Sequence, residues 1–264
     1  MRKPPRILSV AGSDSSGGAG IQADIKTITM LGGYAMTAIT AITAQNTVGV
    51  SSIFPLTPEL MREQFQACES DIGFDAIKIG MLAFPSQAET LWDLLIGQPD
   101  GLPIVLDPVM VATSGAVLAD GHMIAGFRRL MDVATLVTPN LPELEALTDR
   151  PCPDRDAIYE AAAELVERHG CHVLAKGGHG EGERVMDLLV RPDGSAVAFE
   201  HERIETRHTH GTGCTLSSAI ATLLGHGQEM DHAVRLARQF VVKAIKAAPG
   251  FGAGHGPMGH QGVR

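Results

Sequence analysis

The stretch HTHGTGCTLSSAIATLL, residues 208–224, sets a cysteine in the first turn of a small apolar helix opened by two glycines. Gly211 and Gly213 let the backbone come close to a ligand. The amides of Thr212, Gly213 and Cys214, free at a helix N-terminus, form a ready anion site. The helix start is expected to lower the pKa of the Cys214 thiol and so raise its share of thiolate. The bland alternative is a tightly packed helix start with a small buried cysteine.

Four other stretches carry groups of this kind. GSDSSGGAG (12–20) is glycine-rich, but its glycines at 12, 17, 18 and 20 do not make a dinucleotide fingerprint, and Gly18 stands where a Walker A lysine would be. It reads either as a flexible turn opening a helix or as a loop closing over a small ligand, with Asp24 one turn into the helix. In VLDPVM (105–110), Asp107 follows an apolar run and precedes proline, a metal or phosphate neighbourhood or simply a turn cap. In TPNLPELEAL (138–147), Asn140 and Glu143 could share one face of a helix start and orient the waters of Mg²⁺; equally, they match a capping box. In LAKGGH (174–179), Lys176 ends an apolar run before two glycines. It could reach a phosphate chain as a point charge or snorkel at a sheet rim.

These groups need elements to hold them. RILSVAG (6–12), YAMTAITAITAQN (34–46), DAIKIGML (75–82), LPIVLDPVM (102–110), ATLVTPN (134–140) and CHVLAKGG (171–178) read as strands, mostly continuous apolar runs. AGIQADIKTITMLGG (19–33), with Ile21, Ile25, Ile28 and Leu31 at helical spacing, reads as a helix. So do residues 57–72, with a Thr cap before proline, residues 153–170, and two segments near 213–225 and 230–247. Unbroken apolar strands alternating with helices predict an α/β fold whose parallel sheet is covered on both faces. Residues 184–203 break the pattern and predict a hairpin around Pro-Asp-Gly, an antiparallel edge. The tail FGAGHGPMGHQGVR reads as irregular. In such sheets ligands sit beyond the carboxyl ends of the strands. Ser13 and Asp14, Gln45 and Asn46, Lys78 and Met81, Asp107, Asn140 and Glu143, and Lys176 all fall there.

Composition narrows the function. The 264 residues carry a formal charge of −9 and no basic cluster, which speaks against nucleic acid. No apolar run approaches the ~20 residues of a membrane span, and the N-terminus lacks the apolar core of a signal peptide, so a cytoplasmic protein is expected. Cys68, Cys152, Cys171 and Cys214 are too widely spaced for a zinc site or disulfide framework. One domain over 1–264 fits, without linker or repeat.

In their order along the chain, GSDSSGGAGIQADIKT, TAITAQNT, IKIGML, VLDPVM, TPNLPE, KGGH and THGTGCTLSSAIA resemble the ribokinase-like superfamily. Within it they are similar to the hydroxymethylpyrimidine/phosphomethylpyrimidine kinases of thiamine biosynthesis. The likeness covers essentially the whole chain. AGSDSSGGAGIQAD and HGTGCTLSSAIA are its most specific parts; the Asp-Pro and N-x-x-E pieces are shared across the superfamily. The resemblance implies a three-layer α/β/α sandwich with a mostly parallel central sheet. It implies transfer of the ATP γ-phosphoryl group to the hydroxymethyl group of 4-amino-5-hydroxymethyl-2-methylpyrimidine, then phosphorylation of the monophosphate to the diphosphate. Most sugar kinases of the superfamily end the last motif in Asp, a general base; this branch has Cys, here Cys214. By the same likeness, the Gly211–Cys214 amides hold the transferring phosphoryl, and Lys176, Asn140, Thr209 and Gly213 meet the nucleotide. Asp107 and Glu143 hold Mg²⁺ through water. Gln45, Gly12, Asp24, Met81 and Val109 contact the substrate: the Gln45 carboxamide on the pyrimidine edge, Met81 and Val109 as apolar walls, Asp24 and the Gly12 backbone on the hydroxymethyl side.

A homodimer is the family's habit. No fused thiamine-phosphate synthase domain is expected. His208 departs from the pattern, standing where Asn or another small polar residue is expected, while Thr209 and His210 match; the difference bears on contacts to the nucleotide. A pyridoxal or pyridoxine kinase on the same fold is the nearest rival. A non-catalytic nucleotide-binding regulator is opposed by the joint presence of Lys176, Asp107, Glu143 and Cys214. A Rossmann dehydrogenase is opposed by the missing GxGxxG.

Overall fold

The computed structural model describes residues 3–110, 121–178 and 182–263. His179, the last residue of the KGGH motif, lies outside them. One nine-stranded sheet runs through the described residues. Its parallel strands are β1 (Arg6–Asp14), β2 (Tyr34–Gln45), β4 (Ala76–Ile79), β5 (Ile104–Leu106), β6 (Leu136–Val137) and β7 (His172–Ala175). Every residue of β4 and β5 is buried, as continuous apolar runs between two helical layers require.

The expected hairpin is β8 (Arg184–Val190) and β9 (Ala196–Glu202), antiparallel to β7 and to each other. Its turn is Pro192-Asp193-Gly194, with Gly194 at φ +79°. The opposite edge is antiparallel too. There β3 (Val50–Pro55) folds back on β2, so the order is β3-β2-β1-β4-β5-β6-β7-β8-β9. VSSIFP escaped the sequence reading because four of its six residues face solvent and it carries no core-facing pattern.

Helices α1 (Gly20–Met30), α7 (Thr212–Gly225) and α8 (Met230–Lys246) cover one face. Helices α2 (Pro58–Asp71), α3 (Pro85–Leu95), α4 (Gly121–Met131), α5 (Leu141–Thr148) and α6 (Arg155–His169) cover the other. The helix signals behave as their chemistry dictates. The Thr57 side chain accepts from the Leu60 N–H at the start of α2. Asp154 caps α6, and Gly170 ends it at φ +70°. In α1, Ile21 and Ile28 are buried, but Ile25 is 40% exposed. The tail is irregular as expected until a 3-10 turn at His260–Gly262. Two features position the site. The parallel strands all end at one rim, and α7 lies across β1, β4 and β5 so that its N-terminus meets that rim.

Candidate active site

At the rim, Asp107 follows β5 and is buried. Its Oδ1 accepts from Lys176 Nζ at 2.7 Å and from Thr138 Oγ1 at 3.1 Å, and its Oδ2 accepts from Ser217 Oγ at 3.4 Å. Lys176 reaches it from the end of β7, where its backbone pairs with Asn140. Burial alone would lower the ammonium's pKa, but the Asp107 and Glu143 carboxylates outweigh it and hold it above its ordinary value. Lys176 is therefore a charged group with one side already paired.

Asn140 and Glu143 realise the capping-box alternative: Asn140 Oδ1 accepts from the Glu143 N–H at 2.9 Å, and Glu143 Oε2 accepts from the Asn140 N–H at 2.8 Å. The same Oε2 also stands 3.9 Å from Lys176 Nζ. The cap thus aims the carboxylate at the rim. Burial pushes Glu143 up to about 7, against the pull of Lys176 and with the added repulsion of Asp107.

The anion turn meets this cluster directly. Gly211 precedes α7 at φ +84°, and a Cβ there would lie 1.9 Å from the carbonyl oxygen of Gly18. A Cβ on Gly213 would lie 3.3 Å from Lys176 Nζ and 3.4 Å from Asp107 Oδ2. Glycine at 213 therefore keeps the lysine reachable from the helix start. No side chain caps α7. Of the three amides expected to be free, that of Thr212 turns back to donate to the Thr209 carbonyl at 3.3 Å. The amides of Gly213 and Cys214 remain at the open end of the helix.

Cys214 corrects an expectation. The helix start was to lower its pKa; burial instead pushes it up to about 11, with the carboxylates of Asp24 and Asp107 acting in the same direction. The nearby Lys78 ammonium and the Gly20 N–H pull the other way and lose. A helix terminus acts through a few tenths of a charge, whereas burial removes the water that solvates a thiolate. In the ligand-free site Cys214 is a thiol at neutral pH.

The proposed substrate residues divide. Gly12 and Met81 come together: a Cβ on Gly12 would touch Met81 Sδ at 3.0 Å. Val109 is half-buried just beyond Asp107, its amide bonded to the Asp107 carbonyl. Gln45 ends β2 half-buried, with its amide near Thr43 and His210. Asp24 departs from its expected place on the ligand-facing surface. It is fully buried and accepts from Ser9 Oγ at 2.5 Å, Lys78 Nζ at 2.9 Å and Ser218 Oγ at 2.6 Å. Its oxygens are spent on internal donors, the only arrangement in which two buried charges are tolerable. Lys78 thus lies beneath the anion turn, since Ser218 stands one helical turn beyond Cys214. The sequence carries no signal for this place of Lys78, because no local pattern marks a strand lysine as fully buried.

The glycine loop is tied to the anion turn by a second pair. Asp14 accepts from the amides of Ser16, Gly18 and Ala19 and from Ser16 Oγ, and its Oδ2 lies 2.8 Å from His210 Nε2. Burial alone would raise its pKa, but these hydrogen bonds, His210 first, leave it below the usual carboxylate value. His208 packs against Gly256, and its buried Nδ1 has no hydrogen-bond partner.

Among the described residues no three His, Cys, Asp or Glu side chains gather into a metal cage. Asp107 and Glu143, both turned to Lys176 Nζ, are instead the donor set that suits Mg²⁺. That ion keeps most of its waters and takes one or two carboxylates plus substrate phosphates. The buried, partly protonated Glu143 has charge to gain from a cation beside it.

The sequence profile of the phosphomethylpyrimidine kinase family matches residues 14–259. The hydroxymethylpyrimidine/phosphomethylpyrimidine kinase of Haemophilus influenzae is 40% identical over 264 residues, covering 98% of each chain. A thiamine biosynthesis multifunctional protein of Corynebacterium efficiens is 40% identical across 98% of this chain, which spans only 35% of that protein's length. Among solved structures, the pyridoxal kinase of Bacillus subtilis, an ADP complex, superposes with a TM-score of 0.89 at 33% identity, covering 99% of both chains. The fold is therefore the ribokinase-like one. No helix among the described residues is long and apolar enough to cross a membrane.

Proposed function

The chain belongs to the phosphomethylpyrimidine kinase family, and from that premise we propose that it phosphorylates 4-amino-5-hydroxymethyl-2-methylpyrimidine with ATP and then converts the monophosphate to the diphosphate. The observation that carries this is the meeting of Lys176, Asp107 and Glu143 with the open start of α7 across Gly213. Phosphoryl transfer needs positioning and charge stabilisation more than covalent chemistry. Lys176 and the amides of Gly213 and Cys214 hold the phosphate chain, with Asn140 and Thr209 at its nucleotide side. Mg²⁺ held through water by Asp107 and Glu143 would neutralise charge on the phosphates.

Met81, Val109 and the Gly12 backbone wall the pyrimidine, and Gln45 reads its edge. Asp24 acts from behind, through Lys78, on the charge beneath Cys214. The minor thiolate form of Cys214 takes the hydroxymethyl proton in the first transfer. The second acceptor is a phosphate oxygen already without a proton, so that step asks no base of Cys214. We place the enzyme in the cytoplasm as a homodimer.

Pyridoxal is the second reading, favoured by the superposition on a pyridoxal kinase; the curated kinases of hydroxymethylpyrimidine are nearer in sequence. A coupled assay with MgATP and purified protein separates them. The pyrimidine and its monophosphate should both turn over with higher kcat/KM than pyridoxal. Turnover of pyridoxal alone would move the enzyme to vitamin B6 salvage, and turnover of none would leave a nucleotide-binding regulator.

A further inference from the structure

Lys176 stands where β7 leaves the sheet, and the backbone around it is held from two sides. On the β6 side its N–H donates to the Pro139 carbonyl at 2.8 Å, and it bridges to Asn140. On the other side β7 and β8 pair as far as Ala175 and Leu188. Continued, that register would set Gly177 opposite Met186. Instead Gly177 lies so close against the Met186 carbonyl that a Cβ would stand 1.9 Å from its oxygen. The Gly177 N–H turns to a side chain and donates to Asp187 Oδ1 at 2.9 Å. The other oxygen of that carboxylate accepts from Arg238 Nε at 2.7 Å. Arg238 is fixed in turn by His201, whose Nδ1 lies 2.8 Å from its Nη2.

The side chains of Arg238 and Asp187 are only 10% and 9% exposed. A buried ion pair is a poor source of stability, since apolar residues of similar volume often do as well. What apolar residues could not supply here is an acceptor for the first amide beyond the lysine. We propose that Asp187, held by Arg238, is a positioning residue for Lys176. It stands in for the missing ladder partner and fixes the turn by which the chain leaves the sheet. That turn keeps Lys176 Nζ on Asp107, facing the start of α7 across Gly213. The inference rests on the reading that Lys176 meets the phosphate chain. Neither Asp187 nor Arg238 touches a ligand; nucleotide binding depends on them through the lysine, and pyrimidine binding does not.

The test is a cycle of variants, read by calorimetry as the affinity for the Mg²⁺ complex of β,γ-methylene-ATP, without turnover. In Asp187→Asn a single amide oxygen cannot serve both Gly177 and Arg238. In Asp187→Leu/Arg238→Met apolar groups of similar volume replace the pair, which preserves the fold where the single variant leaves a buried charge unpaired. Each should weaken the nucleotide about tenfold, the scale of one displaced charge-assisted hydrogen bond, and leave the affinity for the pyrimidine unchanged. In a Lys176→Met background the same replacements should change nucleotide affinity by less than about twofold, because the group they position is gone. Equal losses in both backgrounds, a loss shared by the pyrimidine, or no loss with Lys176 present would overturn the proposal. In the wild type, the Gly177 amide should be protected from hydrogen exchange although it lies outside any strand or helix; an unprotected amide would overturn it too. Unchanged nucleotide affinity in Lys176→Met alone would instead remove the phosphate contact on which the inference rests.

Discussion

At the scale of the residue, the kind of group was readable and its state was not. Cys214, Lys176, Asp107 and Glu143 stand at spacings that point to phosphate chemistry, and the structure brings them together. That Cys214 is buried enough to be held near 11 is a property of the packing around it, which no local pattern contains. Asp24 misled for the same reason: its partners Ser9, Lys78 and Ser218 are distant in sequence. Two outcomes follow from the cysteine. Iodoacetamide labelling of the Cys214 peptide in ligand-free protein should rise about tenfold per pH unit from pH 7 to 9 without levelling, because only thiolate reacts. A plateau near pH 8.5 would mark an ordinary thiol. Cys214→Ala should lower kcat/KM for the first phosphorylation about 10²-fold or more, the usual share of a general base, and the second by less than about tenfold. Equal losses in both steps would assign Cys214 to phosphate binding rather than proton transfer.

Elements were legible where apolar spacing and caps agreed. The places of the parallel strands, the Thr57 cap and the hairpin needed only local rules, whereas several strands end short of their apolar runs, β5 at Ile104–Leu106 within residues 102–110. Helices α3 and α4 are additions to the elements expected from the sequence, and their buried faces, Leu91, Leu94 and Leu95 in one and Met123, Phe127, Leu130 and Met131 in the other, are spaced three and four apart. The capping box of α5 shows why a structural reading and a functional one need not compete. The bond that ends the helix also aims Glu143. Two caps make the contrast testable. Thr57→Ala and Asn140→Ala should each cost about 1 kcal/mol in urea unfolding. Only Asn140→Ala, whose partner faces Lys176, should also raise KM for MgATP, several-fold; equal KM values in both variants would reduce Asn140 to a cap.

For the molecule as a whole, the sheet and its two helical layers were legible because burial on both faces writes itself as continuous apolar strands. The closure of the molecule by its own tail was not, since glycines carry no pattern. That tail seats His260, fully buried with Nε2 2.8 Å from Thr215 Oγ1, on the first turns of α7. Burial, helped by Lys26, depresses its pKa to about 4. The folded state thus prefers the neutral ring, and the unfolded chain binds the proton first, at about 6.5. Stability is fully present above 6.5 and drains away as pH falls toward 4, by about 2 kcal/mol between pH 7 and pH 5. Urea unfolding of wild type and His260→Gln at both values checks this: the variant should lose markedly less, and an equal loss would place the acid sensitivity elsewhere. The strand order has a further consequence, for the chain as it is made. From β4 to β9 each strand joins the growing edge in the order of its synthesis, so the scaffold can assemble behind the ribosome. The anion turn at residues 211–214 and the tail that pairs His210 with Pro257 come last. A nascent chain therefore has all nine strands before it has anywhere to put a phosphate, and a chain interrupted before residue 211 lacks at one stroke the phosphate turn and the α7–α8 layer that buries one face of the sheet.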